Sequence, residues 1–554
     1  MNSDRPWLKQ YPSGIAANID PDIYPTVAEY IKDRCNQFGT RKAFSSMGKE
    51  LSFKQLDQLS TQFGAYLQSR GLVPGDKIAI MLPNLLQYPI ATFGAIKAGL
   101  IVVNTNPLYT PREMEHQFVD SEVKAILILE NFAANLEKIL PSTSIKTIII
   151  TSIGEMLGVK GSVVNLAVRH LKRMVPKYNL ANTVNMKDAL AQGKKFKIEP
   201  FESTPDTVIV HQYTGGTTGV SKGAMLTNRN IVANMLQIRA FINPYMEGND
   251  EQIILAPLPL YHIFAFTVNC MATIDLGALS VLVLNPKDLS TVVKEFGRYK
   301  ITGMTGVNTL YNALLNDTGF QSAEWSNMSF VAAGGTALKK SVAEKWKEMT
   351  GQDITEGYGM TEASPVVSSN PHGKTVLGTV GIPVPSTDLR IVGEKGEIMP
   401  FGQRGEIQVK GPQVMKGYYN KPEETAQTIT SDGWLNTGDI GIIDEQGYLS
   451  IVDRKKDMIL VSGFNVYPNE VEDVVSAHPK VLEAAAIGIE SEKSGECVKV
   501  FVVKKDKSLT SDELIQFCRE NLTGYKVPKE VEFRKELPKT NVGKILRRKL
   551  KEES

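Results

Sequence analysis

Eleven consecutive residues, Tyr213-Thr214-Gly215-Gly216-Thr217-Thr218-Gly219-Val220-Ser221-Lys222-Gly223, concentrate the chemistry needed to hold an anion. Glycines let backbone N–H groups turn inward, threonine and serine hydroxyls add donors, and Lys222 adds a fixed positive charge. Together these make a polyphosphate cradle. It is not the Walker form, which needs four residues between a glycine and Gly-Lys-Ser/Thr; here Lys222 is followed by Gly223. The competing reading is a Gly/Ser/Thr surface loop. The length of the run, and its place between the strand-like stretch 207–210 and a helical pattern from Asn228, favour the cradle.

Other stretches carry weaker signals. Gly357-Tyr358-Gly359-Met360-Thr361-Glu362 sets a flat aromatic between glycines, a surface against which a purine can lie. Glu362 then offers a hard oxygen ligand for magnesium, which takes few carboxylates plus phosphate oxygens. Alone, such a Gly-Tyr-Gly is a tight turn. In Trp434-Leu435-Asn436-Thr437-Gly438-Asp439, the carboxylate of Asp439 could accept both hydroxyls of a ribose, although Asp on a turn is commonplace. Lys544 follows Asn541-Val542-Gly543, a turn that could aim it. A solvated basic tail is the bland alternative, and it fits Arg547-Arg548-Lys549 better. His262 closes Pro257-Leu258-Pro259-Leu260-Tyr261-His262; a single histidine among apolar neighbours is more often a core residue than a catalyst.

The elements that must position these residues follow from periodicity. Runs 77–82, 100–103 and 125–129 are continuous and apolar, and they alternate with helical patterns at 88–99 and 111–119. That predicts a parallel sheet covered on both faces. A β-rich run from Glu406 to Leu449 precedes the charged segment Val452-Asp453-Arg454-Lys455-Lys456-Asp457. Beyond it a compact α+β tail alternates strand-like 484–489 and 498–503 with a helix at 511–521. The expected fold is therefore α/β and multidomain. Residues 1–452 form a large N-terminal α/β region with a β-rich subdomain, 453–457 a connector, and 458–554 a small C-terminal α+β domain.

Composition excludes several classes. Lys and Arg number 62 against 60 Asp and Glu, a net charge of +2, so there is no basic signature for nucleic acid. The four cysteines, Cys35, Cys270, Cys497 and Cys518, are scattered, which argues against structural zinc and a disulfide framework and suits a reducing cytosol. The stretch Ile253 to Ile274 lacks Asp, Glu, Lys and Arg and is long enough to cross a bilayer, but Pro257, Pro259, His262 and Asn269 interrupt it. A buried strand, a Pro-rich loop and a core helix explain it better. Gly158 to Lys177 reads as a basic amphipathic helix. Either its apolar stripe faces the core, or it touches an anionic membrane surface reversibly.

On these motifs the chain resembles the adenylate-forming superfamily, and the bacterial long-chain fatty-acid–CoA ligases within it. The motifs stand in family order from Tyr213 to Lys544. The resemblance implies two reactions: fatty acid and MgATP give acyl-AMP and pyrophosphate, then the CoA thiol displaces AMP. It implies a role in fatty-acid uptake and beta-oxidation. It makes Tyr213, Thr214, Gly215, Gly216, Thr217, Thr218, Gly219 and Lys222 the phosphate loop, with Thr214 a second contact to Mg²⁺ beside Glu362. Tyr358, between Gly357 and Gly359, would stack on adenine, with Thr361 facing the α-phosphate and Gly335 and Thr336 on the base's other side. Asp439 and Arg454 would clamp the ribose, with Lys456 also on the nucleotide.

Lys544 becomes the adenylation lysine, bridging carboxylate and α-phosphate. Asp453 becomes the hinge about which the small domain rotates between the two reactions. Gly306, Val307 and Gly334 would line an acyl tunnel, and Gly463 and Phe464 a pantetheine tunnel. His262 would border the acyl and thiol entry as a gate. Some relatives carry a lysine where this chain has Leu460, so no nucleotide contact is carried over there. The resemblance further implies a cytoplasmic enzyme, peripheral at the membrane's cytoplasmic face, and leaves a homodimer open. Rival readings are a sister enzyme that passes acyl-AMP to a carrier protein, a luciferase-like oxidase, and a lipid-binding protein with a degenerate nucleotide site.

Overall fold

Apolar β-branched runs with no polar face can be buried on both sides, and in this chain they become parallel strands. The computed structural model describes residues 5–214, 221–246, 251–491, 494–540 and 543–554. One sheet orders its strands as Gly417–Tyr418, Lys222–Thr227, Val208–Thr214, Ile101–Asn104, Lys77–Met81, Val123–Leu129, Thr147–Thr151 and Thr183–Asn185. From Val208–Thr214 outward to Thr183–Asn185 the pairing is parallel. A second, nine-stranded sheet contains the parallel neighbours Ile253–Ala256, Gly303–Gly306, Phe330–Ala333 and Thr355–Gly359. One large apolar core spans both sheets, with Tyr30, Phe63, Phe93, Tyr311 and Trp346 fully buried in it.

The β-rich run forms a four-stranded antiparallel sheet of Asp388–Val392, Arg404–Lys410, Leu435–Ile443 and Leu449–Arg454. Its last strand extends through the charged segment: Asp453 pairs with Ile440 and Arg454 with Asp439. The C-terminal residues build their own cores, one around Ile459, Val471, Val500 and Leu514 and another around Ala485, Phe501 and Leu550. The helix expected at 511–521 is Ser511–Asn521, capped by Thr510 accepting from the Glu513 amide.

Two expectations change. The phosphate-loop run does not lead from strand into helix. It leads from strand Val208–Thr214 into an antiparallel strand, Lys222–Thr227, with Thr214 opposite Lys222, and only then into helix Asn228–Met246. Gly215, Gly216, Thr217, Thr218 and Gly219 lie outside the described residues. The helix expected over 158–177 is shorter, α-helical over Val159–Leu166 and π-helical over Ala167–Leu171. Most of its apolar side chains do not face the core: Val159, Val163, Leu166, Leu171 and Met174 are exposed, whereas Val168 is buried. The stretch Ile253 to Ile274 is, as expected, a buried strand, Ile253–Ala256, then a loop and buried helical turns from Ile263. Among the described residues no helix is long and apolar enough to cross a membrane.

Candidate active site

The motif residues converge because parallel strands deliver their C-terminal ends to one edge. Thr214 ends one strand, Gly334 and Gly335 follow Phe330–Ala333, and Tyr358 closes Thr355–Gly359. These residues and the C-terminal domain enclose a cleft of about 3000 Å³. Its walls carry Thr214, Lys222, His262, Gly335, Tyr358, Thr361, Glu362, Asp439, Arg454, Lys456 and Lys544. The described residues of all three large-domain motifs and Lys544 therefore meet in one space.

Asp439 sits on Leu435–Ile443 next to Gly438, whose φ of 71° is the left-handed conformation that favours glycine. Its carboxylate is held from two sides. The Tyr358 hydroxyl donates to Oδ2 (2.5 Å), and Arg454 Nε lies 3.2 Å from Oδ1. Burial, with the Asp439 charge added, holds the Tyr358 hydroxyl well above its ordinary pKa, so it stays a donor. Tyr358, Asp439 and Arg454, the residues expected at adenine and ribose, thus form one linked unit.

Glu362 is buried beneath the phosphate-loop stem. Its backbone carbonyl accepts from the Met415 amide (2.8 Å) and its Oε1 accepts from the Tyr418 hydroxyl (2.7 Å). Among the described residues no cluster of three or more His, Cys, Asp or Glu could hold a metal. One carboxylate beside a polyphosphate cradle suits Mg²⁺, which fills its remaining positions with phosphate oxygens and water. Ser221 Oγ and Thr336 Oγ1 are buried without a hydrogen-bond partner among the described residues. Thr336 lines the cleft, so its orphaned hydroxyl fits an anionic ligand that would satisfy it.

Lys544 reaches this cleft from the C-terminal domain. Its amide donates to Thr540 Oγ1 (3.0 Å) and its carbonyl accepts from the Thr540 amide (2.6 Å), which fixes the turn that aims it. Asn541 and Val542 lie outside the described residues. Gly543 has φ 83°, and a Cβ there would stand 2.6 Å from Thr309 Oγ1, so a side chain is excluded twice. Lys544 Cε lies 3.7 Å from where a Cβ on Gly335 would be. Burial, and then the Arg454 charge, lower the ammonium to about 8 against the opposing pull of Asp439 and Glu362. Lys456 is lowered too, by burial and then by Arg454. Lys339 of the large domain donates to Ser476 Oγ (2.8 Å), joining the two domains beside the cleft.

An apolar branch opens beside His262. Ile238, Ile242 and Tyr245, spaced along one face of Asn228–Met246, pack with Phe264, Val268 and Phe330, and Phe241 of the same helix also lines the cleft. His262 Nδ1 accepts from the Phe264 amide, and burial lowers this imidazole to about 4, so it is neutral near pH 7. Gly334 lets the Phe264 ring approach to 3.3 Å of its virtual Cβ. Val307 borders a small side pocket with Gly334 and Lys544. Gly306 does not face either space: the Tyr311 ring packs within 2.8 Å of where its Cβ would be. Gly463 and Phe464 are also off the cleft wall. They form an exposed turn in the C-terminal domain, with Phe464 stacked on Tyr525 at 4.7 Å.

Sequence reasoning missed Tyr418, Lys339 and Arg547. Arg547 was weighed only as part of a basic tail, yet its guanidinium bonds Glu472 (2.8 Å) and Asn469 (2.5 Å). No local pattern marks any of the three, because each acts through partners that are distant in sequence.

Comparison with known proteins agrees with this geometry. The family model described as AMP-binding enzyme matches residues 31–419, and that of the AMP-binding enzyme C-terminal domain matches 470–544. A long-chain-fatty-acid–CoA ligase of Salmonella typhimurium is 52% identical over 551 residues, covering 99% of this chain and 98% of the relative. The ligase of the same name from Bacillus subtilis is 40% identical over 100% and 99%. The crystal structure of ATP-bound MatB from Rhodopseudomonas palustris superposes with a TM-score of 0.81 at 27% identity, over 94% of this chain and 98% of that one. By these matches and by its fold, the chain belongs to the AMP-binding enzyme family.

Proposed function

We propose that this chain is an AMP-forming long-chain fatty-acid–CoA ligase. One observation carries the reading: a single cleft joins an apolar branch, walled by Ile238, Ile242, Val268 and Phe330, to the candidate nucleotide residues, and Lys544 lines both that cleft and the small pocket beside His262 and Phe264. The full-length relatives named for this activity support it.

In this reading the fatty acid enters the apolar branch with its carboxylate toward His262 and Lys544. The phosphate loop and Lys222 hold the triphosphate, while Tyr358, Asp439 and Arg454 hold the nucleoside. Mg²⁺, when bound by Glu362 and Thr214, would neutralise phosphate charge. Lys544 bridges the carboxylate and the α-phosphate, so charge developing during attack meets a preorganised cation. Acyl-AMP and pyrophosphate result, and rotation about Asp453 would then bring Gly463 and Phe464 to the thiol path for CoA. Neutral His262 acts as a steric gate in this scheme, not as a base.

Pyrophosphate release measured over saturated acids of rising length, with and without CoA, tests the reading. Efficiency should climb at about 0.8 kcal/mol per buried methylene until the branch is filled. Ile242→Trp should cut kcat/KM for palmitate by about 10²-fold, the worth of three to four methylenes, and spare short acids. Better use of acetate than palmitate, or AMP release indifferent to CoA, would overturn it.

A pH dependence follows from Lys544. Its charged form is the one that acts, and its pKa in the free enzyme is about 8. Adenylation kcat/KM for ATP should therefore be level below pH 8 with respect to this group and fall about tenfold per unit above it. Lys544→Arg should abolish that limb, because arginine stays charged. A flat profile for the parent enzyme from pH 7 to 10 would detach Lys544 from the step.

Membrane contact is the second element of the reading, and the outward apolar face at 159–174 carries it. Lys160, Lys172, Arg173 and Lys177 are exposed around that face, while Arg169 is bound to Glu130 at 2.8 Å. An apolar face ringed by cations that have no ion-pair partner among the described residues matches an anionic lipid surface. Replacing both Lys172 and Arg173 by Glu should weaken cosedimentation with anionic vesicles about tenfold or more, at roughly 1 kcal/mol per cation removed. Activity on micellar substrate should be retained. Equal vesicle binding by both proteins would reject this face.

A further inference from the structure

The short strand Gly417–Tyr418 joins two parts of the site that are far apart in sequence. It pairs with Lys222–Thr227, Tyr418 opposite Ala224, and the Tyr419 amide donates to the Gly223 carbonyl at 2.8 Å. On its other side the Met415 amide holds the Glu362 carbonyl, and the Tyr418 hydroxyl donates to Glu362 Oε1 at 2.7 Å. The same ring lies 4.7 Å from Lys222 Nζ, within cation–π range. Tyr418 itself is fixed, because it is buried and its amide donates to Thr425 Oγ1 (2.9 Å). A single side chain therefore touches the lysine of the phosphate loop and the carboxylate beside it.

We propose that Tyr418 is a positioning residue for adenylation: its hydroxyl orients the Glu362 carboxylate for the divalent cation, and its ring sets Lys222 against the triphosphate. The inference rests on the reading of Glu362 as a metal ligand. The hydrogen bond occupies one carboxylate oxygen and aims the other, and it fixes the side chain before nucleotide arrives. Partners that orient a metal ligand from behind commonly contribute 10- to 100-fold to metal affinity. The two contacts act toward the β- and γ-phosphates, which leave as pyrophosphate, and toward the cation that would accompany them, so the inference assigns Tyr418 no part in thioester formation.

Tyr418→Phe separates the contacts, since it keeps the ring and its packing and removes only the hydroxyl. Mn²⁺ serves as the probe, titrated by electron paramagnetic resonance against protein and saturating ATP. Tyr418→Phe should weaken Mn²⁺ binding about tenfold. ATP binding by equilibrium dialysis in EDTA should match the parent, and so should thioester formation from pre-made acyl-AMP and CoA. Tyr418→Leu, which also removes the ring, should weaken ATP binding in EDTA. Glu362→Gln is the control for the underlying reading. If it leaves Mn²⁺ affinity intact, Glu362 is not the metal ligand. If it weakens Mn²⁺ binding while Tyr418→Phe does not, the positioning role is rejected. Equal losses in both half-reactions of Tyr418→Phe would reduce Tyr418 to a structural residue.

Discussion

Lys544→Ala is expected to slow acyl-AMP formation by about 10²–10³-fold, the usual cost of deleting one preorganised electrostatic contact to a developing charge. The same variant, supplied with pre-made acyl-AMP and CoA, should form thioester at close to the parental rate. The separation follows from where the residues stand. Lys544 is against Gly335 inside the cleft, while Gly463 and Phe464 are exposed on the outside of the same domain. If the second reaction uses that turn, the domain must rotate, and the rotation withdraws Lys544. The substitution leaves the aiming turn in place, because the contacts that hold it use the Thr540 side chain and backbone atoms of residue 544. Rapid-quench measurement of each half-reaction is the test. Equal slowing of both would show that Lys544 serves one fixed arrangement, and the two-position reading would fall.

How much was legible follows the range of the interactions. Strands such as Val123–Leu129 were visible because a buried parallel strand needs a continuous apolar run. Helix Ser511–Asn521 was expected at its observed bounds, and the structure adds the cap, Thr510. The candidate anion-binding run around Lys222 stood out because its glycines, hydroxyls and lysine are consecutive. Gly306 misled because smallness has two uses: it can open a cavity, or it can admit a neighbour, and the Tyr311 ring takes the space. The segment 159–171 left two readings open, core or membrane surface, and its exposed face removes the first. Amphipathicity says that an apolar face exists, not that the fold covers it. Tyr418 gave no sign because a tyrosine after a glycine is ordinary until Glu362, 56 positions away, arrives beside it.

Arg547→Met is expected to destabilise the C-terminal domain by about 3–5 kcal/mol at pH 7, the cost of breaking a buried charge network from one side. Arg547 Nε lies 3.0 Å from Glu472, and its Nη1 lies 3.4 Å from Asp457 and 3.6 Å from Asp453. Asp453 in turn accepts the amides of Arg454 and Asn469, both at 2.7 Å, so the cation ties the segment after Lys544 to the proposed hinge. Burial already raises the carboxyls of Asp453 and Glu472 from their ordinary 3.8 and 4.5, and Arg547 opposes that rise. Without the cation both rise further. A carboxyl with a raised folded-state pKa gives stability that is complete below its unfolded value and is lost as pH climbs through the folded one. The variant should therefore regain much of its loss between pH 7 and about pH 4.5, where protons replace the missing charge. Hydrogen exchange of strands Val481–Ser491 and Gly495–Lys504 at several pH values reads this directly. A loss that stays constant with pH would assign Arg547 to packing alone, and no loss at pH 7 would remove the network from the domain's stability. Adenylation should fall with the stability, since Lys544 lies on the same turn-and-helix segment, whose Leu550 anchors among Ala485, Ile487 and Phe501.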